Sequence, residues 1–203
     1  MNIKINTHSS IQIEDVAFDP YDIKDTNFKA KYVCITHTHF DHLDINSIKN
    51  IADENTIIIA TLDAKEPLEK NFKNKIVYVK PNKVLNFENL TIETFASYNI
   101  NKQFHPKSNN WVGYKLTKDG KTYAVVGDAD ATPELENLKN IDVLFLPIGG
   151  TYTMNSIEAA ELANKIEPKL VIPMHYGSVV GSKDDETEFI NNLDNNIKYE
   201  ILL

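Results

Sequence analysis

Thr36-His37-Thr38-His39-Phe40-Asp41-His42 places three of the chain's six histidines and an aspartate together, directly behind the apolar run Tyr32-Val33-Cys34-Ile35. Where a strand runs out at a sheet edge, side chains two apart point the same way. On that pattern His37, His39 and Asp41 converge while His42 turns aside. Imidazole nitrogen and carboxylate oxygen without thiolate suit zinc, manganese or iron. A site short of protein ligands also leaves room for activated water, the arrangement of a catalytic rather than a structural metal. A polar loop beside a core strand accounts for one histidine there, but poorly for three at this spacing with a carboxylate between them.

Further ligand candidates stand at the ends of other apolar runs. Gln103-Phe104-His105-Pro106-Lys107 precedes the strand-like Trp111-Val112-Gly113-Tyr114-Lys115-Leu116. Ala124-Val125-Val126-Gly127-Asp128 is an apolar strand ending in a glycine, which lets backbone pass close, and a carboxylate. Leu170-Val171-Ile172-Pro173-Met174-His175 delivers another histidine at a strand end. Taken singly, His105 reads equally as a solvated loop residue, Asp128 as a turn former and His175 as a core histidine.

The motif His-x-His-x-Asp-His behind a hydrophobic strand, with the later residues in this order, resembles the metallo-β-lactamase-fold hydrolases over nearly the whole chain. The closest resemblance is to the small branch of ascorbate-6-phosphate lactonase-like proteins. It implies an α/β fold, a four-layer αβ/βα sandwich of two mixed β-sheets with helices outside, in one domain over residues 1–203. It further implies two divalent metal ions, zinc first, with manganese or iron as alternatives. His37, His39 and His105 would hold one ion, Asp41, His42 and His175 the other, and Asp128 would lie between them. The sequence departs from the branch at Ser108-Asn109-Asn110, where a glycine-rich loop is usual, and at Asn155, where an aspartate is common. A helix cap survives the second change. His8, in Asn6-Thr7-His8-Ser9-Ser10, stays off the metal list, read as satisfied by turn backbone or placed near substrate; Phe18-Asp19-Pro20 reads as a structural, strand-ending turn, although the resemblance implies an Asp-Pro near the pocket.

Composition narrows the field. With 203 residues, 42% of them hydrophobic, the chain can bury one substantial core without spare length for a second domain. The start at Met1 lacks a charged leader with an apolar core, and no apolar run approaches membrane-spanning length, so a cytoplasmic protein with no membrane partner is expected. The single Cys34 lies in an apolar strand and fits a reducing compartment. A net charge of −8 disfavours long nucleic acid. All 21 basic residues are lysine, so anion recognition falls to metals, lysine or backbone.

Short β-branched runs alternate with amphipathic stretches. Strands are predicted over residues 4–6, 11–14, 32–36, 56–61, 76–80, 90–95, 112–117, 122–127, 143–147, 170–174 and 198–202. Helices are predicted over 44–53, 64–72, 132–138, 156–166 and 186–193. The halves look alike.

The favoured reading is a metal-dependent hydrolase attacking a small-molecule lactone, ester, thioester or phosphoester with metal-bound hydroxide. Asp41 is the catalytic candidate, orienting the nucleophile and handling its proton. Tyr152 and Tyr176 are neighbouring hydrogen-bond donors. The alternatives are a nuclease or phosphodiesterase of the same fold, which calls for a basic tract, and a metal-binding protein without turnover. A β-lactamase role fits less well, because a secretory leader is missing and His42 completes the hydrolase-type motif.

Overall fold

Short β-branched runs become strands wherever a neighbouring run takes up their backbone groups. In the computed structural model, which describes residues 2–203, that happens in two separate sheets. Met1 lies outside the described residues. The chain divides into two units, residues 2–80 with Leu203, and Pro81–Leu202.

In the first unit β1 (Ile3–Ile5), β2 (Ile11–Ile13), β3 (Val16–Phe18), β4 (Tyr32–Cys34), β5 (Ile57–Thr61) and β6 (Lys75–Val79) lie side by side in chain order. The first three strands pair antiparallel and the remaining pairs are parallel. Helix α1 (Ile45–Ile51) connects β4 to β5, and α2 (Lys65–Asn71) connects β5 to β6, as parallel neighbours require a crossover. Asp44 caps α1 by accepting from the Asn46 amide at 3.0 Å and the Ser47 hydroxyl at 2.6 Å. Ile48 and Ile51 of α1 and Leu68 of α2 bury against Val33, Ile35, Ile58 and Ala60. A fully buried side chain such as Ile58 contributes about 1.5–3 kcal/mol through removal from water.

In the second unit β7 (Val84–Phe87), β8 (Leu90–Ala96), β9 (Val112–Lys118), β10 (Lys121–Val125), β11 (Val143–Pro147), β12 (Leu170–Met174) and β13 (Lys198–Tyr199) also follow chain order across their sheet. An antiparallel meander from β7 to β10 gives way to parallel pairs. The crossovers carry α3 (Pro133–Glu136), α4 (Ser156–Ile166) and α5 (Asp184–Asn192). Helix α4 starts in a capping box: the Asn155 side chain accepts from the Glu158 amide, and the Glu158 carboxylate from the Asn155 amide, both at 2.9 Å. Its buried face, Ala159, Ala160, Leu162, Ala163 and Ile166, packs toward β11 and α5. The two sheets thus share one plan, a meander followed by parallel crossovers, and both are mixed.

Differences from the sequence pattern are local. β3 and β7 are additional strands. β3 is only three residues long, and β7 is an edge strand whose alternate residues are exposed. β13 stops at Tyr199, and β4 stops at Cys34, two residues before the predicted end. Where a glycine-rich loop is usual, a 3-10 turn over Lys107–Asn109 ends on Asn110 in the left-handed region, φ 56°, which asparagine tolerates better than most residues. Among the described residues no helix is long and apolar enough to cross a membrane.

Cys34 is fully buried in β4, and burial pushes its thiol well above the ordinary range, with Asp19 adding to the rise. The thiolate is the reactive species, so the folded protein is expected to resist iodoacetamide at about pH 8 and to react only on unfolding. Mass spectrometry checks this; rapid stoichiometric alkylation of the native protein would contradict the burial.

Candidate metal site

The first unit carries the motif on an irregular loop. β4 ends at Cys34 because the next backbone groups find other partners. The Ile35 amide still donates to the Ile59 carbonyl at 2.8 Å, but the Thr36 amide donates at 2.7 Å to the carboxylate of Asp19. Past that point the two-residue alternation is lost. A turn closes where the amides of His42 and Leu43 donate to the His39 carbonyl. The ring centroids of His37 and His42 lie 4.0 Å apart, yet the ligand atom of His42 gathers with Asp41 and His8 while His37 stays with His39, so Asp41 is the residue that leaves the expected face.

Asp19 organises this loop. It is fully buried at the end of β3, where parallel register sets Phe18 beside Cys34. Its Oδ2 accepts from the Thr36 hydroxyl at 2.7 Å and from Nδ1 of His42 at 2.8 Å. Having donated its hydrogen to Asp19, the Thr36 hydroxyl accepts from Nδ1 of His37 at 2.9 Å. These bonds assign both ring hydrogens to Nδ1 and leave Nε2 of His37 and His42 as unprotonated donor atoms for a metal. Burial raises the Asp19 carboxyl above its ordinary range, opposed by the adjacent His42 and the bonds from Thr36.

The remaining unit-one groups gather around these nitrogens. Nε2 of His37 and Nδ1 of His39 lie 3.1 Å apart. Asp41 Oδ2 is 3.7 Å from Nε2 of His42 and 3.1 Å from Nε2 of His8. His8, Asp41 and His42 each offer a donor atom within 4.8 Å of the other two. Phe40, between two of the ligand candidates, is 65% exposed and packs edge-on against Tyr21.

In the second unit Asp128 is the meeting point. Gly127, at φ 71°, turns the chain after β10, a conformation L side chains rarely adopt, and so directs Asp128 away from the strand. Asp128 Oδ2 lies 3.3 Å from Nε2 of His105 and 3.0 Å from Nε2 of His175, and all three residues are buried. His105 sits in the left-handed region at φ 58°, held where the Asn99 amide donates to its carbonyl at 2.8 Å and the Asn99 side chain meets Nδ1 at 3.2 Å. His175 follows β12, also at φ 58°. A Cβ at Gly149 would lie 2.3 Å from the His175 carbonyl oxygen, so only glycine allows the two backbones to approach this closely. Tyr176 is buried, which pushes its hydroxyl well above the ordinary range. Tyr152 stacks edge-on with Phe104 at 4.8 Å.

The donors in both units are imidazole and carboxylate only, mostly buried, with His39 partly exposed. That chemistry fits a divalent ion of the zinc, manganese or iron type. Sequence reasoning missed Asp19, Thr36, Asn99 and the His8 contact. For Asp19, which a strand-ending turn accounts for equally well in the sequence, the Asp-Pro pair is the available signal. Its role depends on β3 lying next to β4, which no local pattern displays.

Comparisons with known proteins agree with this chemistry. A family model described as "Beta-lactamase superfamily domain" matches residues 2–175. A UPF0173 metal-dependent hydrolase of Nanoarchaeum equitans is 30% identical over 198 residues, covering 93% of this chain and 90% of its own. The crystal structure of a protein described as a metal-dependent hydrolase from Parabacteroides distasonis superposes with a TM-score of 0.85 at 32% identity, covering 98% of this chain and 91% of that one. Igni18, a metallo hydrolase from Ignicoccus hospitalis, shares the fold with a TM-score of 0.77 at 20% identity, covering 98% and 93%.

Proposed function

This chain belongs to the β-lactamase superfamily, and from that premise we propose that it hydrolyses a small-molecule lactone, ester, thioester or phosphoester with two divalent metal ions, zinc in the first place. Metal dependence and hydrolysis follow from kinship with metal-dependent hydrolases of the same family. The ion count, the metal and the substrate class are the proposal. In this reading His37, His39 and His105 would hold one ion, Asp41, His42 and His175 would hold the other, and Asp128 would lie between them.

The observation that carries the proposal is the Asp19–Thr36 pair, which takes the Nδ1 hydrogens of His42 and His37 and presents Nε2 of each as a ligand atom. Bound metals supply water activated near neutral pH. The Asp41 carboxylate would orient that nucleophile and could take up its proton. The exposed Phe40 beside Asp41 favours a substrate with an apolar part. A net charge of −8 with lysine as the sole basic residue weighs against long nucleic acid.

Elemental analysis after metal loading is expected to give close to two ions per chain, because seven ligands exceed what one tetrahedral ion can use. A panel of lactones, apolar acyl esters, thioesters, phosphodiesters and RNA then assigns the substrate. Saturation at one ion or none in folded protein, or metal-dependent cleavage confined to RNA, would defeat the reading.

A further inference from the structure

We propose that His8 is a positioning residue for Asp41, donating its Nε2 hydrogen to Oδ2 and fixing the plane of that carboxylate. The proposal rests on the assignment of Asp41 as a metal ligand and nucleophile-orienting group. His8 occupies the tip of the β1–β2 hairpin, closed where the Asn6 amide donates to the Ser10 carbonyl and the Ser10 amide to the Thr7 carbonyl, each at 2.8 Å. Hairpin tips ordinarily face water. Here His8, Ser9 and Ser10 are all fully buried. His8 also adopts φ 53°, a left-handed conformation that is uncommon outside glycine and that collects at functional sites. The hairpin therefore spends backbone strain and buried polar surface on placing one imidazole 3.1 Å from Asp41.

The chemistry of that contact allows two roles. An ionised carboxylate only accepts hydrogen bonds, so an imidazole nitrogen at 3.1 Å either donates its hydrogen to Asp41 or shares an ion with it, as Nε2 of His175 and Asp128 would at 3.0 Å. Ligation by Nε2 is the competing role. In the proposed assignment, however, the ion on Asp41 already has His42, His175 and the bridging Asp128, four protein ligands. A fifth protein ligand would occupy the place that water must take when the ion expands beyond four-coordination. A hydrogen bond from His8 instead holds Asp41 in one rotamer and leaves the coordination number unchanged, the usual task of a group behind a metal ligand.

Two variants and one spectrum test this. In metal-free wild-type protein, proton–nitrogen NMR correlations of the histidine rings are expected to show His8 protonated at Nε2; a ring protonated only at Nδ1 overturns the proposal. With cobalt(II) as probe, His8→Leu is expected to weaken uptake of the second equivalent about 10–100-fold. The amide nitrogen of His8→Gln reaches the place of Nε2 and donates, but ligates poorly. This variant is expected to recover affinity to within about threefold of wild type, with the visible cobalt spectrum at saturation unchanged. Both variants carry the same left-handed backbone strain, so their difference reports the side chain. Equal losses in both, with altered saturation spectra, would make His8 a ligand, and wild-type affinity in both would make it a spectator; either result overturns positioning. If wild-type protein itself binds fewer than two ions, the dinuclear reading fails, while the NMR result still decides the His8 bond.

Discussion

Asp41→Asn is expected to lower kcat by at least about a hundredfold on whichever substrate the panel identifies, the contribution typical of a general acid–base group. The substitution keeps size and shape but removes the charge that attracts a metal and the basicity that accepts a proton. Asp41 is buried beside His42 and His8, away from the aliphatic cluster under α1 and α2, so the core is untouched. Any fall in melting temperature should come from weaker metal binding and should be largely reversed by excess metal, since an ion that binds only the folded state stabilises by mass action. Near-native turnover with both metals bound would make Asp41 a bystander and sink the mechanism.

Asp19→Asn should be the second most damaging change, although Asp19 is no ligand. Asparagine tolerates the φ of 42° found there much as aspartate does, so backbone strain is unchanged. Only one of its side-chain heads can accept hydrogen bonds. The NH2 group, if turned toward His42, would donate to Nδ1 and drive the ring hydrogen to Nε2, the atom a metal needs. If turned toward the Thr36 amide, it would leave that buried group facing another donor. The expected result is about a 10–100-fold loss of metal affinity or activity. Loss of charge-assisted bonds should also cost about 1.5–3 kcal/mol of stability per bond. Isothermal titration with zinc and chemical denaturation measure the two effects separately. Unchanged zinc affinity in Asp19→Asn would show that the tautomer of His42 is set by something else.

The position of these two aspartates shows what could be read without a structure. Asp41 announces itself, because carboxylate and imidazole crowd one short stretch behind an apolar run, and crowding of ligand types is a property of the linear chain. Helix α4 is equally legible: Asn155, Glu158 and the apolar spacing that follows all act within a few residues, and the helix spans Ser156–Ile166 as predicted. Asp19 is different. Its partners Thr36 and His42 stand far along the chain and are reached only because β3 pairs in parallel with β4.

The same division explains the motif loop. The strand period implied that His37, His39 and Asp41 share a face, yet that period holds only while a neighbouring strand accepts the backbone hydrogen bonds. At Thr36 the acceptor is a side chain from another strand's end, so the strand stops and the rings of His37 and His42 come together. The sequence by itself determined the elements, the mixed α/β character and the chemical identity of the ligand candidates, because hydrophobic periodicity, capping and donor type are local. Only the tertiary structure decided which nitrogen of His37 and of His42 is engaged by the Thr36 and Asp19 side chains, and that His8 meets Asp41, because each depends on a contact between segments that only the folded chain makes neighbours.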